Sequence, residues 1–494
     1  MLYFASLAVP ALAAVFLVPV SVRALGASRF GLLALAWALA EGSGMFDLGL
    51  SRATVRFVAD ATVTGQHRVR EVVLASIFSQ AAMGCVGGVL VFLAAPLLVH
   101  HVFKIPLATQ PEAIAMFRVL SLHVPVIITL NALRAALEGA QRFDISTALR
   151  IPGSLASVVI PAVIAPAGGS LGMILWVLLG ARVALLAVSV QFVKRVLLPE
   201  GWVLPSDLRT LREMLGYSGW VAVSAAVGPI LGNFDRVTVG SIIGSAALGY
   251  YSGAAEAANR FGLIPVTAFS AMLPALAATH TSEGRDRSLA VTRAARRQLC
   301  ALFFPLCFGL FVFGPALLGV WLGPDFARAA GPAFRILSVG IFLSGLAVLP
   351  LALLYGAGRP DLPAKINLVQ TAVHIPLTIL LVRAFGLTGA AIPVAIRCAE
   401  DLIAYEWASR RAVGRYAVGT EDRGLERRFW LPAIILAATF ALGLSLLRGS
   451  APSAAIAIAL AGLAVYSWLC WSRVLSHRER RAWMGLLLVA RRAL

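Results

Sequence analysis

Runs of about twenty apolar residues recur along this 494-residue chain, separated by short segments that hold most of its charge. A helix needs about that length to cross the ~30 Å hydrocarbon core of a bilayer. Inside lipid every backbone N–H and C=O must be bonded within its own helix or barrel. Composition points the same way. Apolar residues make up 60% of the chain and charged residues 13%, too little charge for a soluble chain of this length to wet its surface. The sequence therefore predicts an all-α polytopic membrane protein.

Apolar runs and charge breaks place fourteen spans near 2–22, 31–50, 72–99, 114–136, 146–168, 170–193, 216–240, 248–276, 298–321, 333–355, 364–382, 386–409, 429–447 and 451–472. Lys and Arg set their orientation, since cytoplasmic loops carry the excess. About 29 fall in the connections after even-numbered spans and in the tail, against about 8 in the opposite set. Arg285, Arg287, Arg293, Arg296 and Arg297 crowd the eighth connection, and Arg410, Arg411, Arg415, Arg423, Arg427 and Arg428 the twelfth. Both termini are thus expected in the cytoplasm. The basic tail (Arg478, Arg480, Arg481, then Arg491 and Arg492) is read either as amphipathic on an anionic leaflet or as solvated.

Several function classes fall away. The net charge of +19 lies in short inter-span segments, and no soluble stretch is long enough to hold a nucleic-acid-reading module, so no nucleic-acid partner is expected. The five cysteines form no C-x-x-C pair and the seven histidines show no ligand spacing, so neither a metal nor another cofactor is called for. None of the three lysines, Lys104, Lys194 and Lys365, follows a glycine, which rules out a Walker A loop. No exported connection exceeds ~20 residues, leaving little room for a catalytic domain, and the chain is expected not to be an enzyme. The apolar run begins at Met1 with no basic segment before it, so no cleavable signal peptide is expected.

An internal repeat organises the spans. Phe117-Arg118-Val119-Leu120-Ser121 recurs as Phe334-Arg335-Ile336-Leu337-Ser338, and Leu137-Glu138-Gly139-Ala140-Gln141-Arg142 as Leu354-Tyr355-Gly356-Ala357-Gly358-Arg359, both 217 positions later. Gly172 pairs with Gly389 at 217, and Gly26 and Gly31 pair with Gly244 and Gly249 at 218. The offset holds six spans, an even number, so both halves enter the membrane in the same direction. The repeat is parallel, with a pseudo-twofold axis along the membrane normal. Expected domains are a six-helix lobe over 1–197, a second over 198–416, and two further helices with a basic tail over 417–494. Such lobes leave a cleft between them, and a transporter is the default reading.

Charges inside the spans mark candidate sites, because a mid-bilayer charge costs a few kcal/mol on insertion scales and usually faces protein or water. Five arginines matter most: Arg134, Arg182, Arg236, Arg260 and Arg397. Glu41, Asp47, Asp235, Glu256, Glu400 and Asp401 accompany them. Glu256 and Arg260 stand four apart on one helix face, a pairing distance, and with Asp235-Arg236 could form a charged band. All of these can equally be structural ion pairs, and Arg134 and Arg397, near span ends, can snorkel. Arg182 has no acidic neighbour in sequence, so an anionic substrate could supply its partner; planar guanidinium donors suit phosphate. Arg52 and Arg56 follow Phe46-Asp47-Leu48-Gly49-Leu50 at a cytoplasmic mouth. In the repeat register Gly42 opposes Arg260, so the halves carry different charges.

Arg23-Ala24-Leu25-Gly26 through Phe30-Gly31-Leu32, Phe46-Asp47-Leu48-Gly49-Leu50, Asp235-Arg236 with Leu248-Gly249-Tyr250-Tyr251, and Phe385-Gly386-Leu387-Thr388-Gly389-Ala390-Ala391 occur in an order that resembles bacterial polysaccharide (O-antigen type) flippases. That family sits in a superfamily with multidrug extruders and peptidoglycan-precursor flippases. The resemblance covers about residues 20–410. It implies a V-shaped, two-lobed transporter of the bacterial inner membrane, moving an undecaprenyl-diphosphate-linked oligosaccharide outward by alternating access for surface polysaccharide biosynthesis. Its partners would be that lipid-linked oligosaccharide, membrane lipids and polysaccharide-assembly proteins. The implied site joins Arg260, Arg236 and Arg182 on the diphosphate, Arg52 and Arg56 at the entrance, and Glu256, Asp235 and Glu41 orienting the arginines or carrying a coupling proton. Tyr250-Tyr251 before Arg260 and Pro265 resembles a peptidoglycan-precursor flippase pattern at a longer interval. Those flippases also carry arginines in the first helix, absent here before Arg23. The alternative reading is a cation-coupled multidrug extruder of the same superfamily.

Overall fold

The computed structural model describes residues 2–199, 201, 208–276, 282–357, 359, 361–412, 420–448, 452–475 and 480. Among them the regular structure is helical throughout. In chain order the helices are α1 (Leu2–Gly42), α2 (Leu50–Thr64), α3 (Gln66–Leu97), α4 (Gln110–Gly139), α5 (Phe143–Ile164), α6 (Leu171–Leu197) and α7 (Leu208–Ile242). They continue as α8 (Ser245–Leu276), α9 (Ser282–Trp321), α10 (Pro324–Gly356), α11 (Asp361–Ala412), α12 (Thr420–Arg448) and α13 (Pro452–Leu469). Ten stretches among the described residues are long and apolar enough to cross a membrane. Two of them, α1 and α11, bend at a non-helical glycine, Gly26 (φ 71°) and Gly386 (φ 60°), and each holds two of the expected spans. Helices α7 and α8 cover two more. Exposed Val86, Val89, Leu90, Leu93 and Leu97 on α3 recur at helical spacing, a surface that suits lipid.

The second span differs from expectation. Its helix stops at Gly42, passes through a 3-10 turn over Ser43–Asp47, and restarts as α2. Leu48 (φ 45°) and Gly49 (φ 74°) are left-handed, which no α-helix can pass through. Both carboxylate oxygens of Asp47 accept the backbone N–H of Ser51 at 3.2 Å, capping the new helix. Behind it, Ser51, Thr54, Ser76 and Gln80 interlock: Ser51 donates to Gln80 Oε1 (3.0 Å), and Gln80 Nε2 donates to Ser76 Oγ (2.8 Å). The buried polar groups are thus satisfied by one another. The core beside them joins Leu50, Val58, Val72, Val73, Leu133, Leu137, Val193, Leu197 and Met214 from five helices.

The repeat is visible atom by atom at its turns. Arg142 N donates to Leu137 O (2.8 Å), and 217 positions later Arg359 N donates to Leu354 O (2.9 Å). Arg142 then grips Asp144 with Nε (3.1 Å) and Nη2 (3.0 Å), and Arg359 grips Asp361 the same way at 3.0 and 3.2 Å. Each aspartate stands in the first turn of its helix, where the helix dipole favours negative charge. The other repeated turns rest on left-handed backbone: Gly26 and Gly244, and Gly168 and Gly386, each pair 218 apart. Glycine alone adopts such φ without strain.

By contact the chain gathers into two compact units, one of residues 1–253 with 367–390, the other of 254–366 with 391–494. Within the first, the second arm of α1 crosses the start of α8 at backbone contact. A Cβ on Gly31 would lie 2.0 Å from Ser245 O, and one on Gly249 1.9 Å from Ala27 O. Gly31 and Gly249 are repeat equivalents, as are Ala27 and Ser245, so the contact is reciprocal, as a local twofold relation requires. The hydroxyls of Ser28 and Ser245 close it at 2.8 Å. Within the second unit, α12 and α13 dock on α9 through Phe304, Phe429, Phe440 and Tyr466, whose hydroxyl donates to Cys300 O (3.1 Å).

Candidate substrate-binding arginines

The structure sorts the intramembrane arginines by what holds them. Arg260 on α8 pairs with Glu256 one turn earlier, Nη2 to Oε2 at 2.8 Å, with side chains 29% and 16% exposed. The i,i+4 pairing expected from sequence is therefore present. Arg397 pairs with Asp401 at 3.7 Å on α11. Arg134 donates to Asn131 on α4. These last two are engaged with neighbours on their own helices.

Arg182, near the middle of α6, is held differently. Its Nη1 lies 2.8 Å from Nδ1 of His123 on α4, and the other ring nitrogen of His123 lies 3.1 Å from Leu175 O. Among the described residues no carboxylate stands within ion-pair distance of Arg182. His123 is fully buried. The sequence passed over it because a lone histidine in an apolar run carries no ligand spacing.

Asp235 and Arg236 lie on α7, which runs on to Ile242. Arg236 is only 5% exposed. Oδ2 of Asp235 accepts the hydroxyl of fully buried Tyr251 at 2.6 Å, while Oδ1 is buried and has no hydrogen-bond partner among the described residues. Tyr251, the second tyrosine of the motif, thus ties α8 to the carboxylate of α7. Tyr251→Phe removes the one hydrogen bond seen on that carboxylate and is expected to cost about 1–3 kcal/mol. A thermal midpoint of the purified protein reads it, and an unchanged midpoint would show that the bond is dispensable.

Arg52 and Arg56 lie on the exposed face of α2, one turn apart, with Arg56 3.8 Å from Asp60. The side chain of Glu41 lies outside the described residues, as do the basic tail positions Arg478, Arg481, Arg491 and Arg492 and the side chains of Arg285 and Arg287. Two span arginines not singled out from sequence emerge. Arg118 is exposed and sits 5.4 Å over the Phe92 ring. Its repeat equivalent Arg335 is half-buried, with Nε lacking a partner among the described residues. Their signal was the repeat itself, Phe-Arg-x-Leu-Ser in both halves.

The chain is 25% identical to a Shigella flexneri protein named for O-antigen transport, over 83% of this chain and 96% of that one. It is 21% identical to a Haloferax volcanii protein named for a low-salt glycan biosynthesis flippase, over 40% of this chain and 42% of that one. Its fold is that of a lipid II flippase structure in an inward closed conformation (TM-score 0.69, 13% identity, 95% of this chain and 99% of that one). An inward-facing multidrug transporter of the MATE family shares the fold (TM-score 0.66, 15% identity, 83% and 98%). The family model described as polysaccharide biosynthesis protein matches residues 20–331, more than half of the chain, and the chain belongs to that family.

Proposed function

We propose that this protein is a flippase that carries an oligosaccharide linked through diphosphate to undecaprenol from the inner to the outer leaflet by alternating access. The observation that carries the reading is Arg182, a mid-membrane guanidinium whose one hydrogen-bond partner among the described residues is a neutral imidazole. A diphosphate brings the negative charge such a group lacks, and planar donors meet phosphate oxygens two at a time. Arg236 and Arg260 complete the diphosphate site, Arg52 and Arg56 gather the headgroup at the cytoplasmic mouth, and Glu256, Asp235 and Glu41 orient the arginines or carry a coupling proton. The repeats 1–197 and 198–416 serve as the moving lobes, residues 417–494 are an appendage, and both termini lie in the cytoplasm of a bacterial inner membrane. Family membership and the relatives' names support lipid-linked glycan as cargo.

An extruder of organic cations would want unneutralised carboxylates; Glu256 and Asp401 each face an arginine, whereas Asp235 meets a tyrosine hydroxyl. Reconstitution in liposomes tests the reading. A lipid-linked oligosaccharide placed in one leaflet is expected to become accessible to a lectin on the other side only in vesicles that contain the protein. Vesicles that leave it in place while exporting cationic dyes would overturn the proposal.

A further inference from the structure

The way His123 meets Arg182 fixes its chemistry. A guanidinium has N–H donors and no acceptor, so the His123 Nδ1 that lies 2.8 Å from it must present a lone pair. The proton then sits on Nε2, which donates to Leu175 O at 3.1 Å. Two neighbours on α6, one a donor and one an acceptor, thus select a single neutral tautomer of a ring rooted on α4. Leu175 and Arg182 lie seven residues, about two turns, apart on α6, so the ring lies along that helix and pins the guanidinium at its far end.

The consequence concerns charge. A carboxylate in the place of His123 would hold Arg182 equally well and would also cancel it, as Glu256 does for Arg260. A neutral imidazole accepts one N–H and leaves the full positive charge, and four of the five donors, for something else. Restraint without neutralisation is what a site for a visiting anion requires, because the side chain is ordered before the ligand arrives.

We propose that His123 is the positioning residue of a diphosphate-binding site centred on Arg182, and that this site, not the Arg260–Glu256 pair, supplies most of the anion affinity. The inference rests on the flippase reading above and assigns the main anion contact of its cargo.

The test uses full-length protein in lipid nanodiscs titrated with undecaprenyl diphosphate. Arg182→Ala is expected to weaken binding roughly tenfold or more, the value of a charge-assisted hydrogen bond. His123→Leu, which removes the acceptor, is expected to match it, and the double variant to be no weaker than Arg182→Ala alone. His123→Asn, whose carbonyl oxygen falls near the Nδ1 position, is expected to stay within about threefold of the parent. Nitrogen-15 spectra of histidine-labelled protein give a second readout: His123 should be the Nε2–H tautomer, with its Nδ1 resonance displaced by Arg182→Ala. Parent-like binding by His123→Leu alongside weak binding by Arg182→Ala would overturn the role of His123 and leave the flippase reading standing. Equal weakness of the Asn and Leu variants, or an Nδ1–H tautomer, would overturn it too. Parent-like binding by Arg182→Ala would sink the arginine assignment itself. Should His123→Leu fail to fold, the Asn variant, Arg182→Ala and the spectra decide.

Discussion

Gly31→Ala is expected to destabilise the protein by about 1–3 kcal/mol or more, and Gly249→Ala by a matching amount. The added methyl would stand 2.0 Å from Ser245 O in the first case and 1.9 Å from Ala27 O in the second. Both obstacles are helix backbone, which cannot swing aside as a side chain can. The second arm of α1 and the start of α8 must separate, and the Ser28–Ser245 hydrogen bond would be lost with the contact. Small residues at membrane helix crossings have this role, since lipid gives helices little reason to associate beyond close packing. Gly42→Ala and Gly180→Ala are the controls, because a Cβ there meets nothing within 4 Å. Thermal midpoints in one detergent would compare the four. If Gly31→Ala matched the controls, the close crossing would be refuted.

Loss of glycan export is the second large effect, expected for Arg182→Ala and Arg260→Ala in cells that make the protein at normal levels. Each removes charge-assisted hydrogen bonds of about 1.5–3 kcal/mol, enough to slow export roughly ten- to a hundredfold. The two should differ in character. Arg260→Ala also removes the ion-pair partner that half-buried Glu256 has on its own helix, so part of its effect is structural. The double change Glu256→Gln with Arg260→Gln removes both charges and should recover the stability while leaving any transport defect exposed. Arg182→Ala leaves a buried neutral imidazole acceptor unpaired, a cost of about 1–3 kcal/mol and smaller than that of an unpaired charge, so its transport defect should outweigh its loss of stability. Arg182→Lys should rescue in part, keeping charge without the planar fork. If both alanine variants still sustained surface glycan, the arginine assignment would be wrong.

Much of the architecture was legible because lipid makes it so. A spanning helix must be apolar for about twenty residues and must close its own backbone bonds, so spans appear as runs and connections as breaks. The one misjudged span shows the limit of that signal. Residues 43–49 are apolar enough to read as membrane helix, yet Leu48 and Gly49 turn left-handed and Asp47 caps a new helix. Phe46-Asp47-Leu48-Gly49-Leu50 serves there as a helix break, which its resemblance to the flippases could not reveal. The Glu256–Arg260 pair was legible for a different reason, since one helix fixes the spacing.

What the sequence by itself determined is the helical membrane class, the order of the spans and the doubling at 217–218 positions, all properties of one helix or of two copies of a pattern. The tertiary structure decided which arginine meets a histidine ring from another helix. His123 and Arg182 are 59 residues apart on different helices, and no periodicity reports a contact that arises only when α4 packs against α6. Likewise the repeated glycines announced a duplication, but that Gly31 and Gly249 each lie against the other helix's carbonyl follows from a local twofold relation, which exists only once the chain has folded.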